Sequence, residues 1–440
     1  MRHYDKKNRF FDTFDPKTGY YFRSEILDGE NQGKDPFMRD FPALMDIGIM
    51  GHCAHGQSGL CTKAGIQCYQ NGLTVSAPNM KLKDYKRLVQ EAGKKKCCQV
   101  ALGGRGDPDM HEDFEEILKA TVEAGMVPNF TTSGLGMTPE KAALCKKYCG
   151  AVAVSMYSRL DAPEIAWRAD NAGRIYESME SIPVLFTLGN TNPDCKQVED
   201  PAFGYQINGE FYGWDEPHHL SFGRRDRYKY FRVFNETQDP NYTFQAIQML
   251  LDAGVTTNIH FVLSRSTLEE AVIRMKYGGF PKGINAVVFL LHKPVGQGTE
   301  AEMIDSEDPM FQQFLEMVNN GNLRYRVGFD SCTVPALLKT CKNVDPVSLD
   351  GCEAARFSMY VSSDMVAMPC SFDNVEGRWG FDLEGRTIQE AWDSPQFEAF
   401  RNGMRNACPD CPDRDTCCGG CQIRPESTPC GARHEKEETI

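Results

Sequence analysis

The 440-residue chain predicts an α/β fold, an open or partial (β/α) barrel followed by a small cysteine-rich unit. Three observations predict it. Between Asp46 and Pro294, short apolar runs alternate with longer runs of helical apolar spacing at a steady interval, the signature of βαβ units and a parallel sheet. Beyond Pro294 the alternation gives way to loops and short aromatic strands. The eighteen cysteines include three in the loop after the first strand and a dense array near the C-terminus.

Residues 1–44 are polar and turn-rich, with "DPKTG" and "GENQGKDP", and read as an N-terminal extension. "ALMDIGIM" is a buried strand. "MKLKDYKRLVQEAGKK" (Met80 to Lys95) has helical apolar spacing and a Gly near its end. "CCQVALGG" is a strand closing on glycines, and "HEDFEEILKATVEAGM" a helix with early acids and a Gly stop. "VPNFTTSG" (strand), "PEKAALCKKYCG" (helix) and "AVAVSMY" (strand) continue the alternation. "YTFQAIQMLLDAGV" and "TLEEAVIRMKYGG" are helices that precede the strands "TTNIHFVLS" and "INAVVFLLHKP". This makes roughly six βα units. Residues 175–240 break the rhythm with many Gly, Pro, aromatic and charged residues and read as an irregular insertion. The core is placed at 45–325 and the cysteine-rich domain at 326–440. Ligands gather at the C-terminal ends of strands in such sheets, so the loop "GHCAHGQSGLCTKAGIQCYQ" lies on the functional edge.

A net charge of -13 argues against a nucleic acid or an anionic membrane as the main partner. "SFGRRDRYKYFR" (Ser221 to Arg232) is the one local basic candidate. No apolar stretch approaches the ~20 residues needed to cross a bilayer, and the first residues lack the apolar run of a secretory signal. The chain is therefore expected to be cytoplasmic, with neither nucleic acid nor membrane as partner. Thiols in a reducing compartment are poor disulfide candidates, so those that cluster read as metal or cluster ligands.

Cys408, Cys411, Cys417 and Cys421 are spaced C-x2-C-x5-C-x3-C, and Cys430 follows. Pro and Gly between them supply tight turns. Upstream, Cys352 and Cys370 pair across an expected hairpin. Seven such cysteines exceed one zinc site, and iron–sulfur clusters, each normally wanting four cysteines, fit better. A zinc scaffold is the alternative.

With its "MPC" phrase at Cys370, this array resembles the SPASM domain of radical S-adenosylmethionine (radical SAM) enzymes. The resemblance implies two auxiliary [4Fe-4S] clusters. Cys408, Cys411, Cys417 and Cys430 would hold the outer one. Cys352, Cys370 and Cys421 would hold the inner one, completed by Cys332 or Cys341, with Cys332 preferred. Cys418 is not assigned. The preceding βα repeat resembles the radical SAM core, where three cysteines after the first strand hold a third [4Fe-4S] cluster that binds S-adenosylmethionine. The family spacing is C-x3-C-x2-C, and Cys53-x7-Cys61-x6-Cys68 departs from it. Gly56, Gly59 and Gly65 are expected to let the longer loop curl so that all three thiols converge.

The family has Gly-Gly-Glu after the second strand. Gly103 and Gly104 match, Arg105 replaces the Glu, and Asp107 is the candidate substitute carboxylate. Thr132 and Ser133 in "TTSG" and Ser155 in "VAVSMY" fall where the family holds the ribose and carboxylate. "FLLHKPVGQG" resembles the adenine-side loop, with His292 read as a packed residue. Cys97, Cys98, Cys145 and Cys149 read as core fillers. Cys195 and the pair His218–His219 carry no assigned role.

The resemblance implies reductive cleavage of S-adenosylmethionine to a 5′-deoxyadenosyl radical, fed by an external low-potential donor such as flavodoxin or ferredoxin. The implied substrate is a peptide or protein, modified by crosslinking, thioether formation or oxidation. The sulfatase-modifying branch carries Asp directly after the cysteine matching Cys370, where this chain has Ser371, so that reading ranks lower. About 44 residues precede the core, too few for an independent leader-binding domain, and 175–240 is the candidate substrate-contact segment. The other readings are small-molecule chemistry and a non-catalytic iron–sulfur binding or electron-transfer protein.

Overall fold

The computed structural model describes residues 1–59, 61, 65–156, 159 and 242–430, together with the backbone of the strands within 164–235. Three short strands come first: β1 (Arg2–Asp5), β2 (Phe10–Phe14) and β3 (Tyr21–Arg23). They form an antiparallel sheet in that order. The polar composition of residues 1–44 hides the alternation in β2, which buries Phe10, Asp12 and Phe14. Asp12 pairs at 2.7 Å with Arg39, which is wholly buried. Arg39 also donates to the Pro42 and Lys96 carbonyls, tying this sheet to the start of the core. A buried guanidinium needs this full set of acceptors.

The core strands are β4 (Leu44–Met50), β5 (Gln99–Gly104), β6 (Val127–Thr132) and β7 (Val152–Ser155). Within 164–235 lie β8 (Glu164–Trp167), β9 (Val184–Thr187), β10 (Cys195–Gln197), β11 (Gly204–Ile207), β12 (Glu210–Glu216), β13 (His219–Phe222) and β14 (Tyr230–Asn235). The core resumes with β15 (Thr257–Leu263), β16 (Ala286–Leu291) and β17 (Val327–Phe329), and the C-terminal region adds β18 (Ser358–Val361), β19 (Val366–Met368) and β20 (Phe381–Asp382). One open sheet runs β17-β16-β15-β7-β6-β5-β4-β18-β19-β20. From β17 to β18 every pairing is parallel, and β19 and β20 add antiparallel edges. The six expected strands are therefore adjacent, in a partial barrel.

Residues 175–240, read as irregular, contain strands. β10 to β13 form an antiparallel meander, and β14 lies between β8 and β9. The proposed substrate-contact role of 175–240, the basic run at 221–232 and His218–His219 rest on side chains outside the described residues.

Alternation along each core strand sorts its side chains. Met45, Ile47, Ile49, Val100, Leu102, Phe130, Val152, Val154, Ile259 and Phe261 join one apolar core with the helices Leu82–Lys94, Phe114–Glu123, Pro139–Tyr148, Tyr242–Asp252 and Leu268–Tyr277. The period-two rule puts Asp46, Gly48, Gln99, Gly103, Asn129, Thr131, Ser155 and His260 on the opposite, inner face. Polar pairs hold that face: Asn129 donates to Gln99 at 3.1 Å, and Thr131 meets His260 Nδ1 at 3.3 Å. The barrel thus has a dry outer layer and a polar, half-open interior.

Candidate functional site

The three-cysteine loop leaves the C-terminal end of β4. Cys53 caps the short helix α1 (Ala54–Ser58), its Sγ accepting the Gly56 N–H at 3.1 Å. The helix ends at Gly59 with φ 72°. Most of the long Cys53–Cys61 spacer is thus taken up by a helical turn, where glycine curling was expected. Cys61 is buried, with Sγ 3.9 Å from the His55 carbonyl oxygen. A Cβ on Gly72 would sit 3.1 Å from Cys53 Cβ and 3.5 Å from Cys68 Sγ, so that glycine lies between the two thiols. Burial pushes the Cys53 thiol up to about 11, Asp107, Cys68 and Cys61 add to this, and the Gly56 N–H opposes it. Ligation there has to displace a proton.

β5 ends beside this loop. Gly104 has φ 97°, and a Cβ on it would lie 2.5 Å from Gly48 Cα, so β4 and β5 pinch together where their register shifts. Arg105 donates through Nε to the Gln70 carbonyl at 2.9 Å and through Nη1 to the Gly51 carbonyl at 3.5 Å. It braces both ends of the cysteine loop. As a donor-only group, it cannot make the acceptor contact of the family's Glu. Both carboxylate oxygens of Asp107 accept from Ser133, from N at 2.8 Å and from Oγ at 2.5 Å. Burial and then Asp109 push Asp107 up to about 7, against the Ser133 bonds. Thr132 is buried and accepts the Gly134 N–H. Ser155 closes β7, in register with His260. Gly103, Gly104, Arg105, Asp107, Thr132, Ser133 and Ser155 therefore lie at or just after the ends of three adjacent strands. Gly106 (φ 114°) lies against His52 and Cys53, where a Cβ would be 2.4 Å from the His52 carbonyl oxygen. Bare backbone therefore lies directly against Cys53.

Two cavities gather the remaining candidate ligands. Cys332, Cys352, Cys370 and Cys421 line one of about 1000 Å³, with Asp46, Leu290 and Lys293 from the barrel in the same wall. It thus lies between the barrel and the C-terminal region. Cys408, Cys411, Cys417 and Cys430 line a second, of about 770 Å³. The fourfold sets coincide with those implied by the resemblance, with Cys332 and not Cys341 in the inner wall. Cys341 is buried elsewhere, donating to the Leu315 carbonyl at 3.4 Å. Burial pushes Cys352 up to about 12 and Cys417 up to about 11. Among the described residues no three or more His, Cys, Asp or Glu converge as a site for one ion. Each cavity offers four thiols, the number a four-iron cluster takes.

Among the described residues the other cysteines pack. Cys97 donates to the Ala43 carbonyl, Cys98 is buried, Cys145 belongs to the core with Cys149 against it, and Cys418 points at backbone carbonyls. His292 meets the Thr299 carbonyl. Sequence reading missed Asp46, Gly72 and Lys293, and also Tyr360, which lines the inner cavity. For Lys293 a signal existed, a lysine two residues past β16 in "LLHKP". For Asp46 it was the one acid within "ALMDIGIM".

Residues 352–412 match the family model described as an iron–sulfur cluster-binding domain, SPASM. The chain carries a SPASM domain. The match begins at Cys352 and takes in Cys370, Cys408 and Cys411. No curated protein sequence matches the chain. Among solved structures, Streptococcus suis SuiB bound to S-adenosylmethionine is similar at TM-score 0.54 and 13% identity, over 88% of this chain and 74% of that one. SuiB bound to the precursor peptide SuiA gives 0.53 and 14%, over 88% and 73%. anSMEcpe with bound AdoMet and the Cp18Cys peptide gives 0.52 and 14%, over 90% and 94%. At these identities the likeness is one of fold: a radical SAM-type partial barrel joined to a SPASM domain. Among the described residues no helix is long and apolar enough to cross a membrane.

Proposed function

We propose that this protein is a radical SAM enzyme that modifies a peptide or protein by hydrogen abstraction. The observation that carries the reading is the sorting of eleven cysteines into one loop and two cavities. Cys53, Cys61 and Cys68 would hold the cluster that binds S-adenosylmethionine. Cys332, Cys352, Cys370 and Cys421 would hold the inner auxiliary cluster, and Cys408, Cys411, Cys417 and Cys430 the outer one. When bound, the loop cluster and S-adenosylmethionine supply the one-electron cleavage that generates a 5′-deoxyadenosyl radical. The protein supplies position and exclusion of water. The glycines after β5 present backbone to the cofactor, Arg105 fixes the loop, and the Asp107–Ser133 pair fixes the ends of β5 and β6. Substrate would enter the polar inner face, lined by Gln99, Asn129, Thr131 and His260.

A peptide substrate is supported by the fold shared with SuiB and anSMEcpe, both solved with peptides. An external low-potential donor such as flavodoxin or ferredoxin would deliver the electron. The test is anaerobic incubation of reconstituted protein with S-adenosylmethionine and dithionite, reading 5′-deoxyadenosine. Formation by the wild type and loss in Cys53→Ala/Cys61→Ala/Cys68→Ala is the expected result. No 5′-deoxyadenosine from iron-loaded wild type would leave a non-catalytic iron–sulfur protein.

A further inference from the structure

Lys293 follows β16 and is 3% exposed, yet its ammonium lies in the wall of the inner cavity with Cys332, Cys352, Cys370 and Cys421. Its Nζ donates to Ser427 Oγ at 3.1 Å. Ser427 Oγ in turn donates to the Arg424 carbonyl at 2.8 Å, and the Arg424 N–H donates to Cys421 Sγ at 3.3 Å. Nζ also lies 5.7 Å from the Phe372 ring centroid. Among the described residues no carboxylate forms an ion pair with it. Four acids share its cavity, Asp46, Asp330, Asp350 and Glu353. Asp350 and Glu353 face Arg23, and Asp330 accepts from the Leu291 N–H and from Thr333 and attracts Lys293 without pairing with it.

A buried ammonium with no ion-pair partner costs several kcal/mol, and the groups drawn to Lys293 are led by Cys332 and Cys421, with Asp330 and Cys370 after them, so an anionic occupant of the cavity would complete its neutralisation. A cluster held by four thiolates is anionic, and more so when reduced. A fixed positive charge beside it stabilises the reduced state more than the oxidised one, which moves the potential upward.

We propose that Lys293 is the counter-charge of the inner auxiliary cluster and raises its reduction potential. This rests on the inner cavity being a cluster site, as in the function proposed above. Lys293 acts as a positioning and tuning residue, with Ser427 holding its head toward the Cys421 side of the cavity.

The test is potentiometric EPR in the Cys53→Ala/Cys61→Ala/Cys68→Ala background, which leaves the two auxiliary clusters and uses the outer one as internal reference. Lys293→Met and Lys293→Gln are expected to lower the inner midpoint. At the wild-type midpoint, the ratio of reduced to oxidised inner cluster should fall on the order of tenfold, the effect of removing one partly buried unit charge. Lys293→Arg should stay near the background value, and the outer midpoint should not move. If both neutral variants lose the inner iron while Lys293→Arg keeps it, the counter-charge is likewise supported. An unshifted inner midpoint, or loss of inner iron in all three variants, overturns the proposal. Absence of inner-cluster iron in the background protein would instead overturn the cluster assignment itself.

Discussion

Arg105 reaches from the end of β5 to the carbonyl oxygen of Gln70, 2.9 Å from its Nε. Gln70 lies two residues past Cys68, and the second Arg105 contact, Gly51, lies two before Cys53. One guanidinium therefore ties both ends of the three-cysteine loop. Its planar fork can span two carbonyls, which a lysine cannot.

Removing that brace should loosen the loop and leave the SPASM domain alone. Arg105→Ala and Arg105→Lys are both expected to lower 5′-deoxyadenosine formation about tenfold, the scale of a lost part-buried hydrogen bond from a charged group. The auxiliary-cluster EPR signals should be unchanged. Full activity in Arg105→Lys would show that the charge alone suffices.

Cys332 and Cys341 can be separated by iron content. Cys332→Ala should lose the inner cluster, about four irons. Cys341→Ala should keep all of its iron and lose about 1–2 kcal/mol of stability, as for a small buried side chain. Iron analysis and a denaturant midpoint decide between them.

The pinch between β4 and β5 predicts a steric effect. A Cβ at Gly48 would lie 2.2 Å from the Tyr360 hydroxyl and 3.2 Å from Gly104 Cα. Gly48→Ala should cost about 1–3 kcal/mol, and Tyr360→Phe in the same chain should return part of it. Urea unfolding of the single and double variants measures the coupling.

The core strands and the C-terminal cysteine array were legible because each rests on local signals: apolar period, Gly and Pro turns, and cysteine spacing. What was not legible depends on contacts between distant segments. Residues 1–44 looked like an extension because Asp12 and Arg39 are polar residues that are buried only as a pair. The strands within 175–240 lack the apolar alternation that identifies a half-buried strand. "LLHKP" marks Lys293 as a lysine just past a core strand, but its place in the inner cavity comes from a fold that brings residue 293 to Ser427, which no short window of sequence carries. Arg105 stands out in "GGRG", but its partners Gln70 and Gly51 come from the loop's closure.

His260 on the inner face predicts a pH dependence. Burial lowers its imidazole from 6.5 to about 4. The folded state therefore favours the neutral ring. That contribution is fully present above pH 6.5 and is lost as pH falls from 6.5 toward 4. Because the ring lines a half-open face, the effect is placed on the order of 2 kcal/mol. His260→Gln should flatten this part of the stability–pH curve relative to wild type, and parallel curves for the two proteins would contradict the assignment.

The central claim is that the unusual Cys53, Cys61 and Cys68 loop holds a cluster of its own beside two auxiliary ones. Iron and acid-labile sulfide counted on anaerobically reconstituted protein test it most directly. About twelve irons per chain in the wild type, falling to about eight in Cys53→Ala/Cys61→Ala/Cys68→Ala, is the predicted result. About eight in both would contradict it, leaving the loop without a cluster.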